Sequence, residues 1–142
     1  MTTNPGCEIY IDGAIRGYPG LASIGVYFKN SPSSPAHSFY RYIGETTNNV
    51  AEYFALIYGL EEAWQLGYRS VKVKTDSELL ARQIDGQYKV RDPNLRLLHN
   101  FSSYLIARLK SFSISHIPRE LNTQADRLAN QAIDDYLSKK AH

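Results

Sequence analysis

Cysteine is all but missing from this 142-residue chain. Cys7 stands alone, which excludes an intrachain disulfide framework and suits a reducing cytoplasm. No catalytic base neighbours it in the sequence, so its expected role is passive. Tryptophan also occurs once, as Trp64, expected to anchor a helix in the core rather than bind a ligand. No apolar run is long enough to span a bilayer and no secretory h-region appears, so no membrane partner is expected. Neither sign of charge dominates: 16 Lys and Arg against 14 Asp and Glu leave +2. No global positive field therefore advertises a polyanionic partner, and any nucleic-acid contact must be local. Repeats, low-complexity tracts and a glycine-rich phosphate loop after a strand are absent, which argues against a sugar- or nucleotide-binding α/β protein. What is present is ordinary globular composition, 43% hydrophobic and 21% charged, enough for one domain over 1–142. Residues 1–6 read as a loose leader, 138–142 as a tail, and a monomer is expected.

The chain divides into alternating and helical stretches. Strand patterns run through Glu8–Asp12, Leu21–Lys29 and His37–Gly44, with a turn over Gly13–Gly20 and a loop Asn30-Ser31-Pro32-Ser33-Ser34-Pro35. These three form an antiparallel meander. A helix follows from Asn49 to Gly67, with Asn at its start and Gly at its end. Next come a strand Val71–Thr75, a short helix to Ile84, a connector Asp85–Pro93, a helix Asn94–Leu109, a strand Phe112–Ile117 and a helix Asn122–Leu137. Three strands, then helices alternating with two further strands, suggest an α/β chain with a mixed sheet covered by helices. In such a sheet the ends of the first and fourth strands can lie side by side.

Four acidic residues sit at informative points of this pattern: Asp12, Glu52, Asp76 and Asp126. Each has a plain structural explanation. Glu52 lies three residues after Asn49 and fits a capping box, and Asp76 before Ser77-Glu78 fits an N-cap. Asp12 before Gly13 fits a turn, and Asp126 fits the positive end of its helix. Their surroundings say more. Glu52 shares a helical face with Ala55, Leu56, Gly59 and Ala63, Asp126 aligns with Ala129 and Ile133, and Asp12 follows Ile9-Tyr10-Ile11. Carboxylates against packed surfaces are costly unless paired, protonated or bound to metal. Gathered at one point, the four would make an oxygen-only site for hard divalent cations, suited to phosphodiester cleavage.

The local motifs carry a resemblance. Tyr10-Ile11-Asp12-Gly13-Ala14 with Gly17 and Pro19-Gly20, Thr46-Thr47-Asn48-Asn49-Val50-Ala51-Glu52, Lys74-Thr75-Asp76-Ser77, and Ile117-Pro118-Arg119-Glu120-Leu121-Asn122-Thr123-Gln124-Ala125-Asp126-Arg127-Leu128-Ala129 occur in this order. Across nearly its whole length the chain resembles type 1 ribonuclease H, in the form of the archaeal and Gram-positive branch. The resemblance implies a five-stranded mixed sheet flanked by helices, three strands antiparallel and then two parallel, with the four acids converging at its centre. It implies endonucleolytic cleavage of the RNA strand of RNA/DNA hybrids with two Mg²⁺ ions, Mn²⁺ substituting, leaving 5′-phosphate and 3′-hydroxyl ends. It also implies roles: Asp12 bridging both ions, Asp76 and Asp126 holding the ion that activates water, and Glu52 serving the ion at the leaving oxygen and touching the 2′-hydroxyl. Gly13, Thr47, Asn48, Asn49 and Ser77 are the implied substrate contacts. The helix-capping explanation stands beside this one for Asn48 and Asn49.

Several positions depart from the family pattern. Tyr18 replaces an Asn, and Glu78 replaces a Gln that often contacts the duplex, so its charge must be paired to be harmless. Counting back from Asp126 puts His116 where relatives carry a turnover-assisting His, although it alternates with Phe112 and Ile114 on a strand. Arg119 is the second candidate, as a fixed cation near the scissile phosphate or a partner of Glu120. The long basic handle of some relatives is not evident. Tyr88-Lys89-Val90-Arg91 could grip a phosphate backbone or be a solvated loop. The alternatives are another metal-dependent nuclease of this fold, cutting duplex RNA or RNA–DNA junctions, and a non-catalytic hybrid-binding module.

Overall fold

The computed structural model describes residues 6–17, 20–29 and 37–141. Its strands are β1 (Gly6–Arg16), β2 (Leu21–Lys29), β3 (Phe39–Glu45), β4 (Ser70–Thr75) and β5 (Ser111–His116). Its helices are α1 (Asn48–Gln65), α2 (Glu78–Ile84), α3 (Pro93–Ala107) and α4 (Thr123–Lys140), the last preceded by a 3-10 turn at Arg119–Leu121. The sheet order is β3-β2-β1-β4-β5, with the expected three antiparallel strands and two parallel ones: β1 pairs antiparallel with β2 and β2 with β3, whereas β1–β4 and β4–β5 are parallel.

Side-chain alternation along β1 decides what covers each face. Ile9 and Ile11 lie beneath Gly59 of α1, joined in a buried core by Val26, Phe28, Leu56, Leu60 and Val73. On the other face, α4 lies directly on β2. A Cβ at Gly25 would meet the Ala125 carbonyl, the Ala129 nitrogen at 2.6 Å and Leu128 Cβ at 2.9 Å. Ser23 on the same face donates its hydroxyl to the Ala129 carbonyl, and Arg16 reaches Asp134 at 2.6 Å.

The boundaries differ from expectation in instructive ways. The expected turn over Gly13–Gly20 begins later, because β1 continues to Arg16 and the positive φ falls at Gly17 (77°). Gly13 is not a turn residue. A Cβ there would sit 2.7 Å from the backbone of Ala51 and Glu52, so glycine permits a close approach of α1 to the strand. Thr47, not Asn49, caps α1, accepting from the Val50 N–H at 3.3 Å. Ser77, not Asp76, caps α2 through the Leu80 N–H at 3.1 Å. Helix α3 starts at Pro93 behind the Asp92 cap, and α4 continues to Lys140, whose last turn carries Lys139 and Lys140 at the negative end of the helix dipole. Trp64 is half-buried between two guanidinium groups, Arg69 at 3.5 Å and Arg108 at 4.2 Å from the ring centre, and so is not a core anchor. Burial pushes the Cys7 thiol up to about 12, in keeping with a passive role. Tyr18 and the loop 30–35 lie outside the described residues, as do residues 1–5 of the expected leader.

Candidate active site

Register brings the acids together. Ile11 of β1 pairs with Thr75 of β4, so the next residues, Asp12 and Asp76, sit beside each other where the two parallel strands run toward their carboxyl ends. Glu52 reaches the same point from the first turns of α1, and its Oε1 accepts the Gly13 N–H at 2.8 Å. One carboxylate oxygen from each of Asp12, Glu52 and Asp76 lies within 4.8 Å of the others. Asp126 enters from α4 and lines the same cleft of about 370 Å³, together with Gly13, Asn48, Ser77, Arg119 and Asn130. A cleft of similar size, about 390 Å³, opens at the other end of the β1–β4 pair, but among the described residues Glu8 is the only acid lining it.

The electrostatics match the crowding. Burial, then the charges of Glu52, Asp76 and Asp126, push the Asp12 carboxyl up to about 9. Glu52 is pushed to about 8, mainly by burial, with the Gly13 N–H and the Arg119 charge opposing the rise. Both are only 5% exposed. Two buried acids that resist ionisation, facing two further carboxylates, form a donor set that gains from a hard cation of charge two or more. The residues therefore fit a divalent metal.

The comparisons with known proteins agree with this geometry. Residues 10–132 match the family model described as reverse transcriptase-like. The chain is 39% identical over 126 residues to ribonuclease HI of Halobacterium salinarum, covering 89% of this chain and 63% of that protein. Its fold superposes on the crystal structure of RNase H1 from the same archaeon with a TM-score of 0.86 at 37% identity, over 92% of this chain and 99% of the other. The chain belongs to the ribonuclease H1 family. A further family member, LC11-RNase H1 solved in complex with RNA/DNA hybrid, matches with a TM-score of 0.84 and 43% identity over 92% of this chain and 99% of the other. The chain thus spans just under two thirds of the length of the curated halobacterial relative.

Within this ribonuclease H1 fold the remaining sequence candidates separate. Gly13, Asn48, Ser77 and Arg119 line the cleft, whereas Thr47, Asn49 and His116 are not among its lining residues. Thr47 is occupied as a helix cap, and His116 is exposed at the end of β5, in register with Thr75. Arg119 also bears on Glu52 directly, holding its pKa below where burial alone would put it. Glu78 is paired, its carboxylate 2.9 Å from Arg82 Nε, so its charge does not stand alone beside the cleft. Tyr88 lies near the same guanidinium, 5.9 Å from ring centre to Arg82. Two asparagines escaped the sequence reading. Asn130 donates to Asp126 Oδ1 at 3.2 Å and accepts from Arg16 at 2.8 Å; Asn122 donates toward Asp76 at 3.4 Å. Asn130 stands four residues after Asp126 on α4, so helical spacing is a signal for it, whereas nothing local links Asn122 to Asp76, 46 residues away.

Proposed function

We propose that this chain hydrolyses the RNA strand of RNA/DNA hybrids, leaving 5′-phosphate and 3′-hydroxyl ends. The observation carrying the proposal is the meeting of Asp12, Glu52 and Asp76 oxygens within 4.8 Å in a cleft shared with Asp126 and Arg119. Asp12, Glu52, Asp76 and Asp126 would hold a pair of Mg²⁺ ions, with Mn²⁺ as substitute. When bound, such ions supply Lewis-acid polarisation of the phosphate and lower the pKa of water. The chain's own residues do the rest. Asp12 and Glu52, whose protons burial makes them keep, would release them on taking up a cation. Arg119 offers a fixed cation at the cleft wall for a phosphate oxygen. The Asn48 amide and the Ser77 hydroxyl, which line the cleft with Gly13, suit hydrogen bonds to sugar and phosphate. A hybrid is recognised by 2′-hydroxyls on one strand and a deoxyribose geometry on the other. Support for that substrate comes from the 43% identical relative solved with an RNA/DNA hybrid. The lone cysteine fits action in the reducing cytoplasm.

The test uses purified protein and a hybrid labelled on its RNA strand. Cleavage with Mg²⁺, none in EDTA, and sparing of the matching single strands are expected. Equal cleavage of duplex DNA, or activity surviving chelation, would sink the proposal.

A further inference from the structure

Asn122 is 1% exposed and lies where three site-bearing elements meet. Its Nδ2 donates to the Ile11 carbonyl at 2.9 Å, one residue before Asp12 on β1. The same Nδ2 points to Asp76 Oδ2 at 3.4 Å, just beyond β4. Its own main-chain carbonyl accepts the Asp126 N–H at 3.1 Å, in the first turn of α4. One residue therefore touches the segments that carry three of the four acids.

The other half of the amide explains why this must be asparagine. Asn122 Oδ1 is buried and has no partner among the described residues. An orphaned buried acceptor costs free energy, and native folds rarely keep one without reason. Turning the amide over would not help, because it would set Oδ1 against a carbonyl and a carboxylate, both acceptors. Nor does the side chain serve as a helix cap: although Asn122 precedes α4, its side chain makes no capping bond. The fold tolerates an unsatisfied oxygen in order to present an NH₂ group where a backbone carbonyl and an acidic oxygen converge.

We propose that Asn122 is a positioning residue for the metal site: it aims the Asp76 carboxylate and locks the start of α4 to β1, so that Asp76 and Asp126 face Asp12. It touches neither substrate nor reacting atoms. The inference rests on the proposed function, since it assigns the cleft to a cation. Groups that orient metal ligands in this way typically change metal affinity about 10- to 100-fold when removed. A purely structural link between α4 and β1 would change stability and leave metal affinity alone.

The experiment is calorimetric titration of the purified chain with Mn²⁺, without substrate, alongside the Mg²⁺ dependence of hybrid cleavage. Asn122→Ala should weaken Mn²⁺ binding about 10-fold and raise the Mg²⁺ midpoint in parallel. The hybrid KM at saturating Mg²⁺ should change by less than about two-fold, since uniform substrate binding is not touched. In an Asp76→Asn background the same substitution should add less than about two-fold, because the effect runs through that carboxylate. Mn²⁺ affinity within two-fold of wild type in a cooperatively melting Asn122→Ala protein overturns the inference. If the variant does not fold, nitrogen-15 NMR of the wild type decides instead: the Asn122 side-chain amide signals should shift on Mg²⁺ addition with the midpoint of metal binding, and constant signals overturn it. Failure of the wild type to cut hybrids would count against the proposed function, whereas full hybrid cleavage with unaltered metal affinity in Asn122→Ala would count against this inference alone.

Discussion

Asp12→Asn should make the metal-free protein more stable while abolishing its activity. Asp12 is buried beside Glu52 and Asp76, and its carboxyl is pushed from 3.8 up to about 9. An acid whose folded-state pKa is raised holds its proton in the folded chain after the unfolded chain has lost it. Stability therefore falls as pH climbs from about 4 and levels off near 9. Each pH unit in that window costs at most about 1.4 kcal/mol. From pH 3.8 to 7 that gives a ceiling of roughly 4 kcal/mol for Asp12. Asp12 and Glu52 repel within one cluster and titrate as a pair, so their costs are not doubled. The isosteric amide carries no ionisation cost and can still donate toward Asp126, as the protonated acid does.

A gain of about 2–4 kcal/mol at pH 8 in EDTA follows, or roughly 6–12 °C in Tm for a chain of this size. The assay is a set of circular-dichroism melts of both proteins across pH 3.5 to 9, with and without Mg²⁺. The gap should vanish below about pH 4, where both forms are neutral. It should also narrow with Mg²⁺, because the wild type gains about 2.7 kcal/mol at a hundredfold excess over Kd and the variant gains less. A gap independent of pH, or a variant that melts lower at pH 8, would refute the reasoning.

Four further substitutions probe how the site is assembled. Gly25→Ala drives a methyl into the backbone of α4 at Ala125 and Ala129; a loss of about 2–4 kcal/mol in chemical denaturation is expected, with cleavage falling as Asp126 moves outward. Glu52→Gln keeps an acceptor for the Gly13 N–H and removes a second buried ionisable group, so the metal-free protein should melt no lower than wild type at pH 8 while kcat drops by about 10² or more. Arg119→Ala should lower kcat/KM for the hybrid by about 10- to 100-fold, whereas His116→Ala, at an exposed strand end, should stay within two-fold; the reverse ranking in steady-state kinetics would return the role to the histidine.

Strand and helix periodicity makes most of this fold readable in advance, because β4 and α1 bury one face and β2, covered on both, reads as a continuous run of apolar and small residues. β2 was read residue for residue as Leu21–Lys29. What failed was glycine. Gly13 reads as the start of a turn, since a lone Asp-Gly carries no sign of whether its missing Cβ serves a positive φ or a neighbouring helix. Only the packing of α1, 2.7 Å from the imagined Cβ, makes that distinction. Helix caps failed for a related reason: in Thr47-Asn48-Asn49 three adjacent residues can all cap, and the choice depends on where the chain leaves β3. The four acids were legible because each closed a recognisable local pattern. Asn122 and Asn130 were not, since an amide acting on a neighbouring carboxylate has no composition or charge signature.

The placement of the site follows from strand polarity. Among the strands, β1 and β4 are neighbours running the same way, while β2 on the other side of β1 runs against them. Carboxyl ends of parallel strands are where α/β sheets leave a crevice, because the connections there must diverge to opposite faces. Here the chain leaving β4 enters α2, and the chain leaving β1 turns back into β2, so the gap between Asp12 and Asp76 stays open. The N-terminal turns of α1 and α4 then close on that gap from the two faces of the sheet. Each helix brings its acid on the side already packed against the strands, and each needs a glycine beneath it, Gly13 under α1 and Gly25 under α4. Close packing at these two glycines thus fixes where the helices carry their acids, and the Asn122 and Asn130 amides act on two of the carboxylates. It follows that restoring a side chain at either glycine should harm the site more than removing any single exposed residue on its rim.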